Sequence, residues 1–436
     1  MQQIAEIRSV PYQNKKKIYA TDILIAGILF LVLFRGFIEN FLGHGTLYVD
    51  FCFGILTLWS LFICINGGVF KTFRGRILLK YIRLYIFWIV LCAIVCAFQA
   101  CLGRTSVYGS VIEFRNNCLY TGLFFISAIT LNLYSIKSFY SFFINLGVLI
   151  CSFAIIQYLF RNFLPDSLLF LNDEGNFGFY GRDAIRVTGL MGNTIIFSGF
   201  TIVLFSLVWA QILAENCKIN GLWIKFAIVA IANFLTFSRS SIVGMVAVFV
   251  LEIFLQGVAK KNIFKTLLVI CSLLLIIIFL ALTIFRDTII IKRLIDGDNL
   301  WNSGSNAGHF SMIQEAIEEI KENWLFGKSN EIITDGAIWA YMLEMGIPVF
   351  VVYCILIIAL ILFAIKNCRS ANKTVRTLAF GYIAMNAYFI VSSFINSAYA
   401  ARSVLVFIWF IGGMLLAAVA NFKFISKEQS NLKDKI

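Results

Sequence analysis

Apolar and polar residues do not alternate along this chain; they come in blocks. Apolar stretches of about 20 residues recur from one end to the other, each long enough to cross the hydrocarbon core of a bilayer as an α-helix. The helix is the natural conformation there, because it satisfies its own backbone hydrogen bonds where no water can. The blocks predict helices near 20–36, 47–66, 83–100, 115–134, 138–160, 190–214, 222–237, 240–257, 264–284, 336–365, 376–396 and 402–420. This is the pattern of an all-α polytopic membrane protein of about twelve transmembrane helices. A membrane β-barrel would show short alternating segments instead. No internal repeat, low-complexity linker or separate soluble domain interrupts the series, so residues 1–436 read as a single membrane-embedded domain. Two polar stretches are long, 161–189 and 286–335, the second lying between the ninth and tenth predicted helices. The polar start, Met1 to Lys17, leads into the first block without a small-residue cleavage site, so the first helix is expected to act as a signal anchor.

Composition agrees with that class. Hydrophobic residues make up 60% of the chain, charged residues 14%, and there are only 3 prolines; a soluble domain is nearer half apolar and about a quarter charged. The net charge of +13 would suggest nucleic acid in a soluble protein; here it is the basic flank of membrane helices, and no nucleic-acid partner is expected. The 11 cysteines are scattered, mostly inside apolar runs as at Cys92, Cys96, Cys151 and Cys271. With no CxxC pair or Cys/His cluster to bind zinc, they read as small core residues, and no metal or cofactor is expected.

Charge sets the orientation, since cytoplasmic loops carry the excess of Lys and Arg. Twelve helices put both termini on one face, and that face receives 23 of the 36 basic residues although the other owns both long loops. The termini are therefore expected in the cytoplasm and the long loops outside it. The type of base is more telling. The cytoplasmic set is 17 Lys and 6 Arg, whereas the outer set is 3 Lys (Lys292, Lys321, Lys328) and 10 Arg: Arg35, Arg104, Arg115, Arg161, Arg182, Arg186, Arg239, Arg286, Arg293 and Arg402. Topology needs only charge. Arg offers a planar fork that grips phosphate bidentately and keeps its charge when dehydrated. The outer face thus suggests a site for an anionic ligand, against the plainer reading that individual Arg pair with acids such as Glu113, Asp166, Asp183 and Asp287.

Four constellations carry candidate chemistry. Gly181-Arg182-Asp183-Ala184-Ile185-Arg186-Val187-Thr188-Gly189, then Gly192-Asn193, opens the sixth helix, where orphan N–H groups favour anions. Thr236-Phe237-Ser238-Arg239-Ser240-Ser241 joins two apolar runs with almost no room for a loop, which places Arg239 at the bilayer boundary, where a charge usually has a role or a partner. The long outer loop holds an amphipathic helix over 311–325, apolar at Met312, Ile313, Ala316, Ile317, Ile320 and Trp324 and acidic opposite, suited to lying on the membrane surface or capping a cavity. Before it comes His309, one of 2 histidines, a residue suited to acid–base work but without an evident partner. Last, Asp335-Gly336 is followed after nine residues by Gly346-Ile347-Pro348. Asp335 reads equally as the N-cap of the tenth helix and as a carboxylate placed to accept a proton.

Across residues 180–365 this pattern resembles the O-antigen polymerase and O-antigen ligase superfamily of bacterial surface-polysaccharide assembly. The residues that carry the resemblance are Arg186-Val187-Thr188-Gly189 with Gly192-Asn193, the Thr-Phe-Ser-Arg-Ser turn at 236–240, the large outer loop, and Gly346-Ile347 after Asp335. The first five helices match in hydropathy alone. The resemblance implies a glycan on undecaprenyl diphosphate, presented at the outer leaflet of the bacterial inner membrane. It implies a fold like the GT-C-like membrane glycosyltransferases and transfer without a nucleotide sugar or an obligatory metal. Membrane lipid, a chain-length regulator and a flippase are the implied surroundings. By analogy Arg186, Arg239 and Arg293, with Arg182 and Arg402, would hold the diphosphate. Ligases of this family resemble one another in a His followed by Asn, Ser or Gln, nine residues, and Gly. Asp335-Gly336 stands at that His position here, which favours a polymerase. The proton acceptor is then Asp335 or His309, or substrate positioning suffices. A lipid-linked-oligosaccharide flippase is the competing class, weakened by the missing repeat and by few ionisable residues near helix midpoints; Glu252, the plainest intramembrane acid, lies toward the cytoplasmic end.

Overall fold

The computed structural model describes residues 20–42, 45–66, 73–170, 185–215, 220–283, 304–328, 336–394 and 402–433. These form α1 (Ala20–Leu33), α2 (Arg35–Leu42), α3 (Gly45–Asn66), α4 (Phe73–Cys101), α5 (Val107–Cys118), α6 (Gly122–Thr130), α7 (Leu133–Leu159) and α8 (Thr194–Ala214). After these come α9 (Asn220–Phe234), α10 (Arg239–Ala259), α11 (Ile263–Thr283), α12 (Gly304–Glu322), α13 (Ala337–Asn367), α14 (Lys373–Ser392) and α15 (Arg402–Lys433). No strand occurs among the described residues. Among the described residues seven helices are long and apolar enough to cross a membrane: α4 from Gly75, α7, α8, α10, α13, α14 and α15 over Val404–Ser426. Shorter apolar helices lie at Thr21–Leu33, Asp50–Ser60, Gly221–Phe234 and Ile263–Leu273. The protein is thus an all-helical polytopic membrane protein.

The start of a membrane helix is costly, because its first N–H groups have no partner in the helix. Asparagine side chains meet this need. Asn132 accepts from the N–H groups of Tyr134 and Ser135, both at 2.9 Å, to begin α7. Asn193 accepts from those of Ile195 (2.8 Å) and Ile196 (3.1 Å) to begin α8. The predicted block 115–134 is not one helix: α5 stops at Cys118, a 3-10 turn covers Leu119–Thr121, and α6 follows. Thr121 holds the junction, its hydroxyl donating to the Cys118 carbonyl at 2.6 Å and meeting the Tyr85 hydroxyl at 2.9 Å.

At the centre stands α15, whose residues Val404–Ala420 are all buried. Its Trp409 stacks on Trp88 of α4 with ring centroids 5.9 Å apart. Its Gly413 lies against the Phe124 carbonyl and Ser127 of α6, an approach that a side chain at 413 would block. Around α15 sit α4, α6, α8 and α14. Cys92, Cys96 and Cys151 are buried as core residues, whereas Cys271 is exposed on α11.

The bundle has two unlike ends. At one, Arg376 donates to the Ala214 carbonyl (3.4 Å), Arg369 to that of Val258 (3.2 Å), and Lys373 pairs with Glu215 (3.7 Å). This basic end therefore gathers the C-termini of α8 and α10 and the N-terminus of α14. The other end gathers the C-termini of α4, α7 and α9 with the N-termini of α8, α10 and α13. There α12 begins at Gly304, seven residues before the predicted 311–325, ends at Glu322, and turns Ala316 and Ile320 inward as its periodicity requires.

Candidate anion site at the end opposite the lysines

The segment Ile185–Asn193 leads into α8 in a non-helical conformation and is held from three sides. Gln157, buried near the end of α7, donates from Nε2 to the Gly189 carbonyl (3.0 Å) and the Leu168 carbonyl (2.7 Å), and its Oε1 accepts from the Thr188 N–H (3.4 Å). The Phe37 N–H of α2 donates to the Leu190 carbonyl at 3.2 Å. Gly192, at φ 75°, presses backbone to backbone on Gly36, with no space for a side chain on either.

On the third side the segment lies along the turn between α9 and α10. The Val187 N–H donates to the Leu235 carbonyl at 3.3 Å, and Arg186 Nε donates to the Thr236 carbonyl at 2.9 Å. Two motifs 50 residues apart thus become one surface. The turn itself is locked: Thr236 Oγ1 donates to the Asn233 carbonyl (2.7 Å) and accepts from the Ser238 N–H (3.2 Å). Phe237 takes a left-handed φ of 50°, which costs a non-glycine residue about 1–2 kcal/mol. Its ring meets Tyr158 with centroids 6.2 Å apart, and Arg161 lies over that same Tyr158 ring at 5.2 Å while donating to the Tyr158 carbonyl at 3.1 Å.

Three guanidinium groups are therefore tied to one turn: Arg161 through Tyr158, Arg186 through Thr236, and Arg239 as the first residue of α10. Arg186 is half-buried, and burial draws its guanidinium below the ordinary arginine value, although arginine keeps its charge at any accessible pH. With Nε committed to a carbonyl, its terminal nitrogens make no further hydrogen bond or ion pair among the described residues. Arg239 is exposed and makes neither. Cations without a counter-charge, one of them half-desolvated, suit an anion with several oxygens. Other arginines at this end do take the plainer role: Arg35 pairs with Glu39 at 2.7 Å, Arg115 with Asp50, and Arg104 donates to the Gly327 carbonyl at 2.8 Å.

The remaining candidates fall differently. Arg182, Arg293 and Asp335 lie outside the described residues. His309 is on α12 and Arg402 opens α15, and the side chains of both lie outside the described residues. Of the expected set, Arg186 and Arg239 are the two whose side chains are described, and both stand at this turn. Arg161 was not singled out by sequence; its only signal was a basic residue three positions after an aromatic at a helix end.

The Gly346 turn is a break in α13. Gly346 is non-helical (φ 79°, ψ 163°), and Pro348 has no N–H to offer the Glu344 carbonyl. Gln99 of α4 takes that carbonyl at 2.7 Å and the Phe326 carbonyl at 2.6 Å with the same Nε2. The chain after α12 fills the break: the Ile347 N–H donates to the Trp324 carbonyl (2.8 Å) and the Lys328 N–H to that of Leu343 (2.7 Å). The amphipathic α12 is thus fastened to the kink of a spanning helix. No protein-family model matches the chain, and no curated protein matches it.

Proposed function

We propose that the protein is a polysaccharide polymerase that joins oligosaccharide repeat units carried on undecaprenyl diphosphate, at the outer face of the bacterial cytoplasmic membrane. The observation that carries the reading is the Arg186–Thr236 bond, which sets on one locked turn two guanidinium groups, those of Arg186 and Arg239, that meet no counter-charge among the described residues. This arrangement suits a diphosphate, which would be gripped in the ground state and neutralised as it leaves the sugar. The lysine-rich composition of the opposite end supports an orientation with both termini in the cytoplasm. The helical order supports about twelve spans and a GT-C-like architecture, with α1, α3, the broken α5–α6 pair, α9 and α11 crossing as well as the seven long helices. Asp335 and His309 remain the candidate proton acceptors, and Arg182, Arg293 and Arg402 the further diphosphate contacts. Asp335 at the position of the ligase histidine favours polymerase over ligase.

A flippase is the second reading. Glu252, buried in α10, favours it, because transporters place carboxylates inside the membrane.

Reconstitution decides the activity. Purified protein in lipid bilayers, given only undecaprenyl-diphosphate-linked repeat units, should make longer lipid-linked chains without nucleotide sugar and in the presence of a chelator. Unaltered units, with the protein folded, would refute the polymerase.

A further inference from the structure

Glu252 plays no part in the anion site. At 1.5 Å per residue it stands about 20 Å along α10 from Arg239 and about 10 Å from Ala259 at the basic end. It is fully buried, and neither carboxyl oxygen has a hydrogen-bond partner. It makes no ion pair among the described residues.

Among the described residues its surroundings offer no compensating charge. From α7, Tyr140 comes within electrostatic reach, but its hydroxyl donates to the Leu207 carbonyl at 2.7 Å. From the end of α13, Cys368 is also within reach. One turn below, Gln256 Nε2 is committed to the Leu213 carbonyl at 2.8 Å. Four bases of neighbouring elements have other partners: Arg376 the Ala214 carbonyl, Arg369 that of Val258, Lys373 Glu215, and Lys225 of α9 Asn145, while Lys366 of α13 is exposed. Lys260 and Lys261 follow α10, and Lys265 lies in the first turn of α11.

An ionised carboxylate in such a place loses its hydration and gains nothing in return. Two occupants can relieve it, a metal cation or a proton. A metal needs several donors, and no group of three His, Cys, Asp or Glu side chains that could hold one occurs among the described residues. A proton needs only the carboxyl.

We propose that Glu252 is an intramembrane proton-binding site, its carboxyl neutral while α7, α8, α10 and α14 are packed around it and its proton released to water at the basic end when that packing opens. The site is independent of the anion-binding reading and stands or falls separately from it.

Infrared spectroscopy of the full chain in lipid nanodiscs, scanned in pH, tests this. The neutral-carboxyl carbonyl band of a buried acid should be present at low pH, give way to carboxylate bands as pH rises, and be absent from E252Q. E252D should keep a shifted band, which assigns the signal even if E252Q does not fold. A hydrophobic carbodiimide should form an N-acylurea at Glu252 with the same pH dependence. A wild-type spectrum lacking the band throughout would mean an ionised group and overturn the proposal. So would a band that persists at every pH where the protein stays folded, or one unmoved by either substitution.

Discussion

Arg186 illustrates why arginine, and not lysine, stands at this end of the bundle. Its Nε holds the Thr236 carbonyl while its terminal nitrogens have no partner among the described residues. One side chain thereby fixes a turn and presents a cation, a division of labour open to a five-donor fork and closed to an ammonium. Arg186→Lys should therefore behave almost as badly as Arg186→Ala. Loss of a charge-assisted contact of about 1.5–3 kcal/mol predicts a rate of chain elongation lower by roughly 10- to 100-fold in both. Glycan length ladders check this; full rescue by lysine would show that charge alone matters. Arg161 belongs to the same scale. Its link to the turn runs through Tyr158 and Phe237, residues separated by 79 positions, so no local pattern could have disclosed it.

At the scale of elements, what the sequence discloses and what it hides follow one rule. Helical blocks are legible because a backbone in hydrocarbon must bond to itself. Exceptions to the rule are hidden because distant side chains repair them. Thr121 splits the block 115–134 by satisfying a carbonyl within the bundle. Gln99 serves the carbonyl that Pro348 leaves open, from a helix some 245 residues away in the chain. The break at Gly346 was legible as a turn; that the tail of α12 would fill it was not. Gln99→Leu should expose this dependence. Orphaning the Phe326 and Glu344 carbonyls costs about 1–3 kcal/mol each. Hydrogen exchange should then accelerate in the segment after α12 and in the first turns of α13, while α14 and α15 keep their protection. Equal acceleration throughout the bundle would show that Gln99 serves global packing instead.

At the scale of the whole molecule, the division between ends is the main feature. One end carries lysines and arginines bound to helix carbonyls or to Glu215; the other carries Arg186 and Arg239, which meet no counter-charge among the described residues. Orientation of this asymmetry can be measured directly. Fluorescent-protein fusions at the C-terminus should fluoresce, and alkaline-phosphatase fusions there should be inactive, with the opposite result for fusions within 286–335. The reverse pattern would put the arginines in the cytoplasm, out of reach of an outer-leaflet glycan.

The central claim, an arginine site that elongates lipid-linked glycans, is tested most directly by the lipid-linked products of a deletion strain complemented with wild type or Arg239→Ala. The account predicts single repeat units accumulating outside the membrane in the deletion and in Arg239→Ala, with the variant inserted normally, and long chains restored by wild type. Long unattached chains in the deletion would indicate a ligase, and units trapped on the cytoplasmic side a flippase; either would contradict it.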